Sequence, residues 1–329
     1  MPKVLSDFGE RKLIGRFIEP LLDNPPEYLG DDAAVIPISD HESLLVTIDA
    51  GPSKPIMQMF DVGSPFNYGH LASAMSFSDI AAMGGKPVAL VAACMFPRGL
   101  SVIQFRDFLR GIKSACADVG AKYVGGDTKE SASIRIVTCA LGLVPSKRIL
   151  SRSGAKHGDL VAVSGMIGRC LKSYVSASRS RTSKRVDNAR PRIDLGLALK
   201  YELHANACMD MSDGPINSSR ELSKRSNATF EIDLDAIPVV SVPNGILPET
   251  WRLIVWATGG CDFELMFTFP KNMLKKALRM GCHICGEVGA GSRGARFTRK
   301  EGDLTKLADW EHYNRTGDLF IKLINELKK

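Results

Sequence analysis

Ser78-Asp79-Ile80-Ala81-Ala82-Met83-Gly84 closes a segment, 67–83, whose Ala and Ser content suits a helix that packs closely against its neighbours. An aspartate on a small-residue helix face in an apolar stretch is costly to bury without a partner. A metal is one such partner and a backbone cap is the plain one, and the setting favours the metal. Four more acidic motifs surround it in sequence: Gly30-Asp31-Asp32, Thr47-Ile48-Asp49, Gly125-Gly126-Asp127-Thr128 and Met209-Asp210-Met211-Ser212-Asp213-Gly214. A lone aspartate beside Gly, Ser or Thr marks a turn or a cap. Five such motifs imply carboxylates gathered at one place, which repel each other and need cations to hold them together. Magnesium fits, because it takes oxygen ligands and shares them between a few carboxylates and substrate phosphates. The chain therefore reads first as a magnesium-nucleotide enzyme.

Elements spread outward from that helix. Residues 6–22 predict an opening helix with Leu13, Ile14, Phe17, Ile18, Leu21 and Leu22 on one face, capped by Ser6 or Asp7 and ended at Pro25-Pro26. Strands are expected at 44–48, 89–95, 121–124, 134–144, 160–164, 229–233, 264–269 and 283–288. Helices are expected at 102–119, 193–203, 216–226 and 271–280. This interleaving gives an α/β or α+β fold. The length of 329 residues predicts two domains. Arg152–Asp159 reads as their junction, which divides the chain into 1–148 and 149–329.

Each motif has a plain alternative. Gly125 and Gly126 let a backbone approach a ligand and present N–H groups to phosphate, or they form a hairpin turn. Asp210, Ser212 and Gly214 share one side if extended, while Asp213 can cap the following helix; Asp210 is the one expected on the metal side. Gly289-Ala-Gly-Ser-Arg-Gly294 matches a dinucleotide pattern but lacks a following strand–helix unit. Cys282-His-Ile-Cys285 has no second pair to complete a zinc site, so buried thiols are expected. No P-loop, protein-kinase set or serine-hydrolase elbow occurs.

The net charge is +7, and basic residues cluster at 179–192 and at Arg293, Arg296, Arg299 and Lys300. Neither cluster interleaves aromatics, so no nucleic-acid partner is expected; 178–192 reads as a mobile solvated loop, with phosphate attraction the sharper alternative for both clusters. No apolar run approaches the roughly 20 residues of a membrane span. The opening residues lack the apolar core of a secretory signal, so a cytoplasmic location is expected. The eight cysteines are expected as reduced core thiols.

Taken in order, the motifs resemble the thiamine-monophosphate kinase family of the PurM-like (aminoimidazole ribonucleotide synthetase) superfamily. The resemblance runs from Gly9-Glu10 and Leu13-Ile14 through 30–36, 78–84, 125–128, 152–159 and 210–214 to Gly259-Gly-Cys-Asp-Phe-Glu-Leu-Met-Phe-Thr268. It implies a two-domain fold that forms a homodimer, with the N-terminal sheets pairing into a barrel and ATP bound in a cleft involving both subunits. It implies an ATP- and Mg2+-dependent kinase acting on a small-molecule phosphate acceptor, on the path to thiamine diphosphate. Carried over, Asp32, Asp49, Asp79, Asp127 and Asp210 match magnesium ligands, Thr47 a position near one metal, and Asp213 a further metal-linked carboxylate. Gly126 and Asp127 match the loop that approaches the nucleotide phosphates; Arg152 and Ser212 match ATP contacts. Asp127 and Asp210 are the residues expected to be catalytic, while Cys261 and Asp262 fall on the substrate side.

Three positions depart from the family pattern. The stretch 49–57 contains no histidine where the family has His-Phe, Cys261 replaces the glutamate of Gly-Gly-Glu-Asp, and Pro215 replaces a leucine. Two other readings stay open: a PurM-like enzyme that phosphorylates or activates a different acceptor, and a nucleotide-binding protein without turnover.

Overall fold

The central element of the molecule, a computed structural model describing residues 4–23, 26–180, 185–299 and 302–303, is the helix α3, Pro65–Ala82. Ser64 caps it through a reciprocal box with Asn67, and Pro65 takes the first turn, where its missing donor costs nothing. Tyr68, Ala72, Phe77 and Ile80 bury toward one core, while Ala81 and Ala82 bury toward another. A helix apolar on all sides belongs between layers. Small residues make this possible. A Cβ at Gly111 would lie 2.0 Å from the Phe66 carbonyl, and one at Gly196 would lie 2.1 Å from that of Ala81.

On one side of α3 stands a five-stranded sheet ordered β1-β2-β5-β3-β4: β1 Ala34–Pro37, β2 Glu42–Ala50, β3 Lys86–Phe96, β4 Lys122–Glu130 and β5 Arg135–Pro145. All pairs are antiparallel except β3 with β4. The inner face rests on α3 and on α4, Val102–Asp118; Thr138 Oγ1 donates to the Ala72 carbonyl at 2.8 Å. Alternation would normally put polar residues on the other face. Here that face carries Leu44, Val46, Ile48, Val91, Ala93, Val137, Cys139 and Leu141, all partly or fully exposed.

On the other side lies a mixed seven-stranded sheet ordered β12-β11-β8-β10-β6-β9-β7. Its strands are β6 Leu160–Val163, β7 Ala207–Asp210, β8 Thr229–Asp233, β9 Leu265–Phe269, β10 His283–Gly289, β11 Gly294–Arg299 and β12 Gly302–Asp303. The helices α5 Arg169–Arg179, α6 Ile193–Glu202, α7 Gly214–Ser226, α8 Pro248–Thr258 and α9 Leu274–Arg279 pack around it. Its largest core contains Met57, Phe60 and Leu71 from the first half beside Trp251, Ile254 and Phe230 from the second. The short turn α2, Ile56–Met59, inserts Met57 there.

Three sequence readings are corrected. The opening helix is broken: the four-residue α1, Glu10–Leu13, is followed by a π-turn over 14–18 and a 3-10 turn over 19–21. Gly9 enters at φ 73°, and Pro20 removes a donor where the ladder would continue. Leu21 is 80% exposed, so the expected apolar face is not buried in this chain; Pro25 lies outside the described residues. The stretch 125–128 is neither loop nor hairpin but the middle of β4. The basic stretch is not one solvated loop. Residues 178–179 end α5, Val186 and Ala189 are buried, and Asn188 Oδ1 accepts from Asn67 Nδ2 at 2.8 Å, while Arg181, Lys184 and Lys300 lie outside the described residues. Cys282 and Cys285 are buried thiols.

Candidate metal and nucleotide site

Three carboxylates from three elements converge. Asp32 ends the turn before β1, Asp79 sits in the last turn of α3 and Asp210 ends β7; each offers an oxygen, and these lie within 4.8 Å of one another. The local folding explains each position. Thr47 Oγ1, from β2, donates to Asp79 Oδ2 at 2.5 Å. Ser78 Oγ donates to Asp210 Oδ2 at 2.7 Å, and Ser212 Oγ to Asp210 Oδ1 at 2.9 Å. Ser218 Oγ fixes the Asp210 carbonyl from the first turns of α7, so the strand end and helix start move together. Strand β7 stops at Asp210; the expected extended alternation through Gly214 gives way to a turn, across which Ser212 still reaches Asp210.

The electrostatics are those of a cluster that repels itself. Burial, then the neighbouring Asp49, Asp210 and Asp32, push the Asp79 carboxyl well above its ordinary range. Burial and Asp32 push Asp210 up to about 7. Asp49 is raised by burial, against hydrogen bonds with Ser76 and Asp79. Asp31 is pushed up to about 6 by burial. Among the described residues the guanidinium bonded to the cluster is that of Arg152, whose Nη2 donates to Asp32 Oδ1 at 2.7 Å. Burial works to lower its pKa, and Asp32, Asp210 and Asp79 more than reverse that.

Among the described residues, Asp32 Oδ2 and Asp49 Oδ2 are buried without a hydrogen-bond partner. Buried acceptors left unpaired are destabilising. An all-oxygen donor set with orphaned carboxylate oxygens suits a hard divalent cation such as Mg2+. Beside it opens a cleft of about 520 Å3 lined by Gly30, Asp31, Arg152, Ser212, Asp213 and Lys224, among others. It has room for a nucleotide's phosphates and part of its sugar. Asp213 holds the N-cap position of α7 without a side-chain cap bond, and its Oδ2 accepts from Asn217 at 3.2 Å.

The remaining expected residues lie elsewhere. Reading across the sheet, Asp49 pairs with Thr138, Thr138 with Ala92 and Ala92 with Gly126. Gly126 is therefore level with Asp49 but three strands away, roughly 14 Å at about 4.8 Å per strand. Its Cβ would lie 1.8 Å from the Ala92 carbonyl, at a φ of 151°, so glycine is required there for strand pairing. Asp127, one residue on, turns to the opposite, outer face with Ala93. It is exposed, and its nearest cation is Lys129 at 3.5 Å. Asp262 accepts from the backbone N–H of Arg169 at 2.7 Å and of Cys170 at 2.9 Å, so it caps α5. Cys261 sits beside it at φ 62°, its thiol pushed up to about 12 by burial. Two residues of the site were not singled out in the sequence, Asp31 and Ser78. Both stood inside quoted motifs, but each next to a stronger candidate.

Comparison with known proteins follows this geometry. Residues 30–144, which span the Asp32 turn and the five-stranded sheet, match the family model for the AIR synthase related protein, N-terminal domain. A thiamine-monophosphate kinase of Pyrococcus horikoshii is 32% identical over 315 residues, covering 94% of this chain and 97% of its own. That of Escherichia coli O157:H7 is 29% identical, covering 93% and 98%. The structure of AaThiL complexed with AMPPCP and TMP superposes with a TM-score of 0.75 at 25% identity, covering 95% of this chain and 99% of that one. The fold and site define an ATP-site scaffold of the AIR synthase related class. Within that class, the chain belongs to the thiamine-monophosphate kinase family.

Proposed function

We propose that the protein is a kinase that transfers the γ-phosphoryl group of ATP onto thiamine monophosphate, giving thiamine diphosphate and ADP. The convergence of Asp32, Asp79 and Asp210 within 4.8 Å carries the reading, in a chain whose relatives bear that activity in their names. Asp32, Asp49, Asp79 and Asp210, with Thr47 alongside, would hold Mg2+. The ions supply charge neutralisation for the transferring group. The protein's own part is positioning. Ser78, Ser212 and Thr47 orient the carboxylates, while Arg152 and Ser212 face the nucleotide phosphates from the cleft, with Asp213 at its rim. Gly126 and Asp127 complete the site from a partner subunit, whose sheet covers the apolar outer face. The working unit is thus a homodimer built on an ATP- and metal-binding N-terminal domain, 1–148, and a C-terminal domain, 149–329. Among the described residues no helix is long and apolar enough to cross a membrane, and a cytoplasmic location fits this chemistry.

A specific observation favours a second reading, the same chemistry on another acceptor. A thiol raised to about 12 is neutral at pH 7 and cannot supply the carboxylate charge that the family places at Cys261. Cys261 and Asp262 would then border a changed acceptor pocket. ADP release from Mg-ATP, with thiamine diphosphate followed by mass, tests both readings. Product equal to ADP released is expected; nucleotide binding without that product would transfer the assignment to another acceptor.

A further inference from the structure

Arg152 is held by two successive aspartates in two different ways. Its backbone N–H donates to Asp31 Oδ1 at 2.5 Å, and its guanidinium donates to Asp32 Oδ1 at 2.7 Å. The main chain is further fixed through its carbonyl, which accepts from Ser226 Oγ at 3.3 Å. The side chain is held less completely. Nε is buried with no partner among the described residues, and the guanidinium borders the cleft that Ser212 and Asp213 also line. Asp32, whose side chain is fully buried, gives one oxygen to Arg152 and leaves the other unpaired. The arginine thus stands where a cation is needed, bonded to one carboxylate of the cluster.

A guanidinium and a divalent cation on the same carboxylate repel each other strongly in a site shielded from water. A cation on the free Oδ2 would face the guanidinium across one carboxylate, and that repulsion weakens the guanidinium's hold on Oδ1. The backbone is pinned and the side chain has open cleft on its other side, so the side chain is the part free to move. We propose that Arg152 is the resident counter-ion of the metal-free site: its guanidinium holds Asp32 until a divalent cation displaces it, and then turns into the cleft to meet the nucleotide's phosphates. One residue then neutralises the cluster in one state and the nucleotide in the other, so metal and nucleotide load together. This rests on the assignment of Asp32 as a metal ligand made above, but on no choice of acceptor.

The test uses Mn2+ alone, titrated into the full-length protein without nucleotide or acceptor and followed by electron paramagnetic resonance. Arg152→Met is expected to bind Mn2+ about tenfold more tightly than the unmodified protein, the scale of one lost charged hydrogen bond. Arg225→Met is the control. Arg225 lines the same cleft but is bonded to Glu19 and to the Leu29 carbonyl, not to the cluster, so its removal changes the field without freeing Asp32. Its expected effect is below about threefold, as for a partly solvated charge. Should Arg152→Met fold poorly, Arg152→Lys keeps the charge but loses the fork, and is expected to tighten Mn2+ binding by an intermediate factor. Equal effects of Arg152→Met and Arg225→Met would overturn the exchange in favour of a general field. Unchanged or weaker binding in the Arg152 variants would make Arg152 a support of the metal site rather than its competitor. If no form binds Mn2+, the metal assignment itself fails and the exchange falls with it.

Discussion

The acidic cluster at Asp32, Asp79 and Asp210 and the edge strand bearing Gly126 and Asp127 belong to one resemblance, yet folding treats them in opposite ways. The cluster is assembled within a single chain at an electrostatic cost, visible in the raised Asp79 and Asp210. Asp127 is exposed and faces away from the cluster on the other side of the sheet. That same outer face is apolar along its length, from Leu44 on β2 to Ala93 on β3. A face of this kind calls for a covering surface. On the reading proposed above, one chain builds the half of the site that must be buried, and a second copy would supply the exposed half.

Asp79→Asn is the harshest test of that contrast. Activity should fall by about 10²–10³-fold, the usual loss when a preorganised charge partner is removed. Stability without metal should rise, because a neutral amide ends the repulsion, and the gain in melting temperature on adding Mg2+ should shrink. Steady-state kinetics and thermal unfolding with and without Mg2+ measure both. A variant less stable without metal would show that the carboxylate is structurally satisfied and that the cluster is not under strain.

Asp127→Asn should also remove most activity, but leave metal-free stability unchanged because the residue is exposed. Mixing it with inactive Asp79→Asn sharpens the comparison. If each site draws Asp79 from one subunit and Asp127 from the other, random exchange restores roughly a quarter of full activity, since half of the dimers carry one intact site. No recovery after verified subunit exchange would place both carboxylates in one protomer's site.

A milder effect follows from pH. Asp210 and Asp31 have folded pKa values raised to about 7 and about 6, above the ordinary 3.8. The folded protein therefore binds more protons than the unfolded chain, and this contribution is fully present below about pH 4. It is lost as pH rises through about 6 to 7. The metal-free melting temperature should decline across that window relative to Asp210→Asn, and saturating Mg2+ should flatten the decline. A metal-free profile matching that of the variant would remove Asp210 as a source of the effect.

Much of this was legible in the sequence because a long small-residue run and a long β-branched run keep their preferred structure in tertiary context. The helix expected at 67–83 is observed at 65–82, and the strand expected at 134–144 at 135–145. The failures have local causes. The segment after Gly9 kept a helical pattern that Pro20 and the π-turn break. Four-residue β7 was too short to show alternation, and α5 was hidden because its polar face was read together with the basic stretch that follows. At the site, acidic residue types were readable but faces were not. A bulge between Leu90 and Val91 sets the register of β4 against β3 and hence the face of Asp127, and no motif records it.

Asp262 gives the smallest expected effect and separates the two halves of the family motif around it. Its carboxylate is committed to the N–H groups of Arg169 and Cys170, with the Arg169 guanidinium at 3.7 Å, so its primary work is to start α5. Asp262→Ala should cost about 1–2 kcal/mol in denaturant unfolding, as loss of a helix cap does. Asp262→Asn keeps one acceptor and should recover part of that. If the residue acts only through the helix, KM for the acceptor stays within a small factor while stability falls in both variants. A rise in KM with Asp262→Asn, without a matching loss of stability, would move the carboxylate from the scaffold to the acceptor pocket and draw Cys261, its neighbour in the same turn, with it.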